Sequence, residues 1–233
     1  MSLKFYQAMT EAEIRNASVL PRYLAYMACH FSPYGVGLVN IPERLPPNSL
    51  LIVNDRVPVL QHDPEQIAKQ LFYAVRKLKA LGVLLDLQTP GNPQTTQIVK
   101  KVVNTLPCAV GVSEQYADDL SCPIFCSPSI HQPLDEYINA KKGRPLWLEV
   151  FQEAEFLAVT SSGCERTQGK ELPGETYFDE SLQCTYRFAL QKDRVTFQLL
   201  RQPSDIPDYI QAAEKSGIEV AVGLYQQFRD IPL

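Results

Sequence analysis

Polar side chains recur at the ends of apolar runs in this chain, and several of them are carboxylates. In the segment GVLLDLQ, residues 82–88, Asp86 and Gln88 share one face with Leu84, because successive side chains of a strand point to opposite sides. An acid and an amide on such a face are costly to bury without partners. They indicate either a wet site at the strand end or, for Asp86, a cap on the backbone amides of residues 89–92.

Residues of the same kind end several other apolar runs. The carboxyl ends of parallel strands in a barrel meet at one rim, which is where enzymes with barrel folds carry their sites. The candidate carboxylates for acid–base chemistry are Glu114, Glu149 and Asp86. The candidate ligand-binding residues are Gln88, His30, Asp55, Arg56, His131, Trp147, Tyr225 and Gln226.

Each candidate also has a purely structural interpretation. Asp55 and Arg56 can form a local ion pair before a turn, and Glu114 can begin an exposed loop. Glu149 lies inside its apolar run, on the same face as Trp147, so within a barrel its carboxylate needs a partner. Trp147 itself fits either a core position or a platform on which a sugar stacks. The same two interpretations, structural or functional, apply to the other ring-bearing candidates, His30, His131 and Tyr225.

The elements that must position these residues follow a strand and helix alternation. Two helices are predicted to begin at the cap-and-proline pairs Asp63-Pro64 and Asn92-Pro93, and a third covers residues 206–216. Hairpin-like segments precede that third helix, at residues 156–167 and 184–200. The strand-like runs are residues 23–30, 50–55, 82–88, 108–114, 123–129, 145–151 and 217–228.

Nearly continuous apolar strands between helices indicate parallel pairing covered on both faces. We therefore predict an α/β fold, a compact (β/α)8 TIM-type barrel with β-hairpin insertions in its C-terminal half, formed by residues 1–233 as one domain. The alternative is a doubly wound open sheet, whose Gly-rich nucleotide-binding turn is not present after the first strand-like run.

Composition narrows the class of partner. Hydrophobic residues make up 45% and charged residues 21% of the chain, as in ordinary globular proteins. The net charge of -4 argues against a nucleic-acid partner, and no run approaches the roughly 20 apolar residues of a membrane span. Without a secretory pattern, a cytoplasmic protein is expected, whose six cysteines stay reduced. We predict a small-molecule or saccharide ligand and no cofactor or metal.

The segment GVLLDLQ resembles the catalytic strand of family 18-like glycoside hydrolases, whose pattern is Gly-x-x-x-Asp-x-Glu. Gly82 and Asp86 match that pattern, whereas Gln88 stands where the family has its proton-donating glutamate. The closing segment AVGLYQQF, residues 221–228, is similar to the last barrel strand of that family, which carries an aromatic residue at the floor of the sugar site. The whole chain also resembles small barrel proteins of clostridial type. The resemblance implies a barrel with a saccharide ligand and, because an amide cannot donate the proton, no family-type catalysis at Gln88.

Three hypotheses of function follow. The first is a carbohydrate-binding, glycosidase-like barrel without catalysis, consistent with Gln88 in place of an acid. The second is an active glycoside hydrolase that uses Glu114 and Glu149, since that reaction needs two carboxylates. The third is a metal-dependent hydrolase. Its ligands would be His30, Asp86, Glu114 and His131.

Overall fold

A computed structural model of the protein describes residues 2–35, 37–57, 62–141 and 143–231. Its main sheet has nine strands, eight of which run parallel and close into a barrel because the last strand pairs with the first. The two-residue strand β3 instead pairs antiparallel with β2 at the edge. The strands are β1 (Lys4–Met9), β2 (Leu24–Phe31), β3 (Leu38–Val39), β4 (Leu50–Asn54), β5 (Gly82–Asp86), β6 (Ala109–Ser113), β7 (Ile124–Cys126), β8 (Leu146–Val150) and, at the end of the chain, β14 (Val220–Leu224).

Helices connect many of the barrel strands, which confirms the predicted TIM-type (β/α)8 fold. The predicted cap-and-proline starts are confirmed, since Asp63 accepts a hydrogen bond from the Glu65 backbone N–H at 3.0 Å and Asn92 one from the Gln94 N–H at 2.9 Å. No helix in the described part of the chain is long and apolar enough to cross a membrane. The helices are α1 (Glu11–Asn16), α2 (Pro64–Leu78), α3 (Pro93–Thr105), α4 (Leu134–Ala140), α5 (Ile206–Lys215) and α6 (Tyr225–Phe228).

A second, antiparallel sheet is inserted between β8 and α5, in the region where hairpins were predicted. Its order is β10-β9-β13-β12-β11. One face of the sheet covers a small core that includes Ile130 of the loop after β7, and Phe151 packs against this core. The strands are β9 (Glu155–Thr160), β10 (Gly163–Thr167), β11 (Tyr177–Asp179), β12 (Cys184–Leu190) and β13 (Arg194–Leu200).

Side chains from the inner faces of the strands fill the lower part of the barrel. Trp147 is 6% exposed there and belongs to an inner cluster with Leu84 and Phe125. The Trp147 ring lies close to β6, where a Cβ atom added to Gly111 would lie 2.7 Å from Trp147 Cζ3. Such a packed interior is typical of this fold, and it leaves open space only toward the ends of the strands.

Two elements differ from the sequence-based expectation. Strand β1 was not predicted, because Lys4 and Gln7 interrupt its apolar residues, yet Tyr6 is fully buried inside the barrel. The predicted last strand, residues 217–228, is wrong in its second half, where the chain turns into α6. That helix buries Phe228 against Phe5, with ring centroids 5.1 Å apart, and so closes the chain over the first strand.

Candidate functional site

A cavity of about 280 Å³ opens at the carboxyl ends of the barrel strands. Its wall combines apolar side chains, among them Leu84, Phe125 and Phe151, with a set of polar ones. We call this space the mouth cavity. Its polar residues are Asn54, Arg56, Asp86, Glu149, Glu153 and Gln227.

Asp86 and Glu149 are the two half-buried carboxylates of the mouth cavity. Asp86 is the last residue of β5 and Glu149 the penultimate residue of β8. Strand alternation turns both inward, Asp86 above Leu84 and Glu149 above Trp147, as the sequence predicted for Glu149. The barrel thus brings together two carboxylates that are far apart in the chain.

Both carboxylates accept hydrogen bonds from uncharged side chains. The Gln88 side-chain amide donates a hydrogen bond to Asp86 Oδ1, and the Ser127 hydroxyl donates to Glu149 Oε2. Neither carboxylate forms an ion pair with a described cation. The negative charge of each carboxylate is therefore compensated less than the charge of an acid in a salt bridge.

Their surroundings disfavour ionisation. Burial raises the pKa of Asp86, and the charge of Asp55 adds to this rise, whereas the Gln88 hydrogen bond and Arg56 oppose it. Burial also raises the pKa of Glu149, and the charges of Asp86 and Glu153 act in the same direction. Both carboxyl groups are therefore harder to ionise than exposed ones, and for Glu149 the charge of Asp86 contributes to this.

Asp55 binds the loop after β5 and does not line the mouth cavity. It is 6% exposed, and its two carboxylate oxygens accept hydrogen bonds from the backbone N–H groups of Gln88 and Thr89, each at 2.8 Å. Asp55, and not Asp86, therefore caps the loop after β5. No ion pair links it to Arg56, whose exposed side chain lines the mouth cavity instead.

Glu114 lies outside the mouth cavity, in a short 3-10 turn after β6. Tyr137 donates a hydrogen bond to its Oε2 at 2.8 Å, and Lys141 forms an ion pair with Oε1. Partial burial acts to raise the pKa of Glu114, but the bonds from Lys141 and Tyr137 outweigh it and lower that pKa. Glu114 lines a separate cavity of about 180 Å³ together with Gln88 and Ser127.

The two candidate histidines lie outside the mouth cavity. His30 Nδ1 lies 2.9 Å from the Phe31 carbonyl oxygen, and His131 Nδ1 lies 3.1 Å from Glu155 Oε2 beneath the second sheet. Neither lines the mouth cavity. Across residues 2–35, 37–57, 62–141 and 143–231, no group of three His, Cys, Asp or Glu side chains is arranged to hold a metal ion. The metal-dependent hypothesis therefore lacks its ligand set.

Of the remaining candidates, none lines the mouth cavity. Trp147 lies in the packed layer below it, and Tyr225 of α6 packs against the outer core of the barrel. The Gln226 side chain forms a hydrogen bond with Glu13. The next residue, Gln227, does line the cavity, and its Oε1 accepts a hydrogen bond from the Gln152 N–H at 3.2 Å.

Two residues of the mouth cavity, Glu153 and Gln227, were not singled out in the sequence, whereas Asn54 lies at the end of a predicted apolar run. Asn54 was detectable, because it lies two residues after Ile52 and so shares its inward face; its side-chain amide donates to the Met27 carbonyl at 3.0 Å. Glu153 and Gln227 follow the ends of their strands, where no periodic pattern indicates direction, and Ser127 lines the neighbouring cavity of Glu114.

No protein-family model and no curated protein matches the sequence. Among solved structures, a family 18 N-acetylglucosaminidase from Paenibacillus barengoltzii is 10% identical, with 98% of this chain and 96% of that chain covered and a TM-score of 0.59. A family 18 chitinase from Cycas revoluta, solved in complex with (GlcNAc)3, is 10% identical, with 97% and 96% covered and a TM-score of 0.58.

A chitinase-like agglutinin from Robinia pseudoacacia is 12% identical, with 94% of this chain and 93% of that chain covered and a TM-score of 0.56. The chain is therefore similar in structure both to glycosidases and to a chitinase-like protein named as an agglutinin. At these identities the likeness concerns architecture alone, and it shows that the chain shares the (β/α)8 barrel fold of these structures.

Proposed function

We propose that the protein is a carbohydrate-binding barrel that holds a saccharide in the mouth cavity. The observation that carries this proposal is the pair of inward carboxylates, Asp86 and Glu149, beside the apolar wall of Phe125 and Phe151. Sugars present hydroxyl donors around their ring and apolar C–H groups on its faces. A concave site with an apolar lining and a few fixed polar groups suits such a ligand.

The hydrogen bonds at the site leave acceptors available. Gln88 donates to Asp86 Oδ1 and Ser127 donates to Glu149 Oε2. Among the residues that the structure describes, none donates a hydrogen bond to Asp86 Oδ2 or Glu149 Oε1, so these two oxygens can accept from ligand hydroxyl groups. Because the two donors fix the orientation of the carboxylates, less freedom is lost when a ligand binds.

The structural neighbours suggest which saccharides to test first. The Cycas revoluta chitinase is described in complex with (GlcNAc)3, and a glutamate-to-glutamine variant of that enzyme with (GlcNAc)4. Oligomers of N-acetylglucosamine and of its relatives are therefore the first ligands to assay on this chain.

Binding without cleavage is the preferred form of this proposal, because the group beside Asp86 is the Gln88 amide, which does not supply a proton to a leaving oxygen. Hydrolysis by Asp86 and Glu149 is the second candidate. It is favoured by the raised pKa of both acids, since the general acid of a glycosidase also has a raised pKa.

Isothermal calorimetry with a panel of GlcNAc oligomers tests the proposal on the wild type, Asp86→Asn and Glu149→Gln. Glu136→Gln, an exposed change in α4, is the matched control. We expect the wild type and the control to bind alike and each cavity variant to lose about tenfold in affinity, the equivalent of about one hydrogen bond. If no saccharide binds, the proposal is wrong. Release of reducing ends by the wild type, abolished in Glu149→Gln, would establish the second candidate instead.

A further inference from the structure

The acids at this end of the barrel fall into two groups with different partners. Glu114 is paired with Lys141, and Glu155 forms an ion pair with Arg166 and lies 3.1 Å from His131 Nδ1. Asp55 is compensated by two backbone N–H groups. Glu114 and Glu155 thus have cationic partners, and both oxygens of Asp55 accept hydrogen bonds from the protein.

Asp86 and Glu149 differ, because their hydrogen-bond donors are the neutral groups of Gln88 and Ser127. Glu153 adds a third carboxylate to the same cavity, and the single guanidinium among the lining residues is the exposed Arg56. Among the described residues, the lining of the mouth cavity thus includes three carboxylates and one cation. Two of those carboxylates are half-buried, where an uncompensated charge is most costly.

We infer that the saccharide bound here carries a free ammonium group, so that the ligand is an amino sugar without its N-acetyl group, such as an oligomer of glucosamine, whose ammonium lies between Asp86 and Glu149. This inference rests on the proposed function and narrows its ligand class. An ammonium group presents three donors and one positive charge, and it satisfies both the hydrogen-bonding capacity and the charge of two carboxylates.

A neutral sugar cannot compensate the charge of Asp86 and Glu149. Its hydroxyl groups can donate to Asp86 Oδ2 and Glu149 Oε1, but they leave the negative charge in the cavity unbalanced. N-acetylation removes the charge of the amine and adds an amide that needs its own partners. The cavity therefore discriminates between the two sugars through charge, and the preference should weaken as salt screens the interaction.

Protons give an independent readout. The groups that surround the pair are Asp55 and Arg56 beside Asp86, and Glu153 beside Glu149. In the free protein, burial disfavours ionisation of the two carboxyl groups, whereas a bound ammonium favours the ionised form of both. Binding of the amino sugar should therefore lower the pKa of both carboxyl groups, so that the pair releases protons at a pH within their titration range.

The test is calorimetry with the trimers of glucosamine and of N-acetylglucosamine, at one pH below neutrality and in two buffers of different ionisation enthalpy. We expect the glucosamine trimer to bind the wild type and Glu136→Gln at least tenfold more tightly, with proton release, and expect this preference to fall in 0.5 M salt. In the double variant Asp86→Asn with Glu149→Gln, whose folding is checked by its melting curve, the preference should disappear.

The outcomes separate the two claims. If the N-acetylated trimer binds as tightly as the glucosamine trimer or more tightly, the inference is wrong and the saccharide-binding proposal stands. If neither trimer binds, both are wrong. If the preference for glucosamine persists undiminished in the double variant, the ammonium is bound elsewhere and the inference is also wrong.

Discussion

Asp55 holds the backbone of Gln88 through a hydrogen bond of 2.8 Å from the Gln88 N–H to Asp55 Oδ1. Asp55 follows β4, and Gln88 follows β5, in the neighbouring position of the barrel. The register pairs Asn54 with Asp86, so the two strand ends stand side by side. Through this contact one buried acid orients the residue whose side chain supports Asp86.

Replacing Asp55 should therefore destabilise the protein. In Asp55→Asn one of the two backbone N–H groups, of Gln88 or of Thr89, faces an NH2 group instead of an oxygen, and the remaining bond loses its charge. We expect a loss of about 2–3 kcal/mol in the free energy of unfolding, measured by urea denaturation. Asp63→Asn is the control, because asparagine caps a helix as well as aspartate does, and it should change stability by less than about 0.5 kcal/mol. Equal midpoints for both variants would contradict this role of Asp55.

Glu149 and Glu114 should affect stability with opposite dependence on pH. Since burial raises the folded-state pKa of Glu149, its contribution is fully present below the ordinary value of about 4.3 and is lost as pH rises through the raised value. Glu149→Gln should thus gain stability relative to the wild type as pH increases from 4 to 7.

The pKa of Glu114 is lowered, so its contribution is present above the ordinary value and is lost as pH falls through the lowered one. Glu114→Gln should lose up to about 1 kcal/mol at pH 7, a modest amount because this ion pair is half exposed, and should approach the wild type in acid. Urea denaturation at several pH values checks both variants. A common slope for the two would show that the assigned environments are incorrect.

Gly111 should tolerate no side chain, because an alanine Cβ would lie 2.7 Å from Trp147 Cζ3 inside the barrel. We expect Gly111→Ala to cost about 1–3 kcal/mol of stability and to shift the fluorescence of the chain's one tryptophan. Adding Trp147→Phe should recover part of that loss, so that the double variant is more stable than the sum of the two single changes predicts. If the stability losses of the two single variants simply add in the double variant, the Trp147 ring is not what excludes a side chain at position 111.

Gln88→Glu should introduce catalysis if the saccharide lies beside Asp86. The new carboxyl group would take the place of the amide that now donates to Asp86, and two adjacent carboxylates share a proton that one of them can donate. We expect hydrolysis of a bound oligomer at least about a hundredfold above the wild-type background. Gln115→Glu adds the same charge where the side chain now bonds the Leu87 carbonyl, and it should add no activity. Hydrolysis equal in both variants would argue against a specific role for position 88.

Much of the fold was predictable from local signals. The cap-and-proline starts at Asp63 and Asn92 and the apolar runs of the later strands lie close to where the sequence indicated them. Strand β1 was not predictable from local signals, because Lys4 and Gln7 mask its alternation and because its partner β14 lies at the other end of the chain. Barrel closure is a non-local property that no window of sequence contains.

The candidate site likewise has a part that was predictable from the sequence and a part that was not. Strand alternation predicted that Glu149 shares the inner face with Trp147, and it extends to Asn54. The contact between Asp55 and Gln88 spans 33 residues and depends on the path of two loops, so a single sequence cannot show which acid caps the loop. The partner of Glu114 was hidden for the same reason, since Lys141 lies on a separate element that only the folded barrel brings near.

The central claim is that a saccharide binds in the mouth cavity, and side-chain amide resonances of two adjacent residues test it most directly. Gln227 lines the cavity, whereas Gln226 is bonded to Glu13 outside it. In 15N-labelled protein titrated with the glucosamine and GlcNAc trimers, we expect the NH2 signals of Gln227 and Asn54 to shift saturably with at least one trimer, while that of Gln226 stays in place. Saturable shifts that leave Gln227 and Asn54 unchanged, or no shifts with either trimer, would contradict the claim.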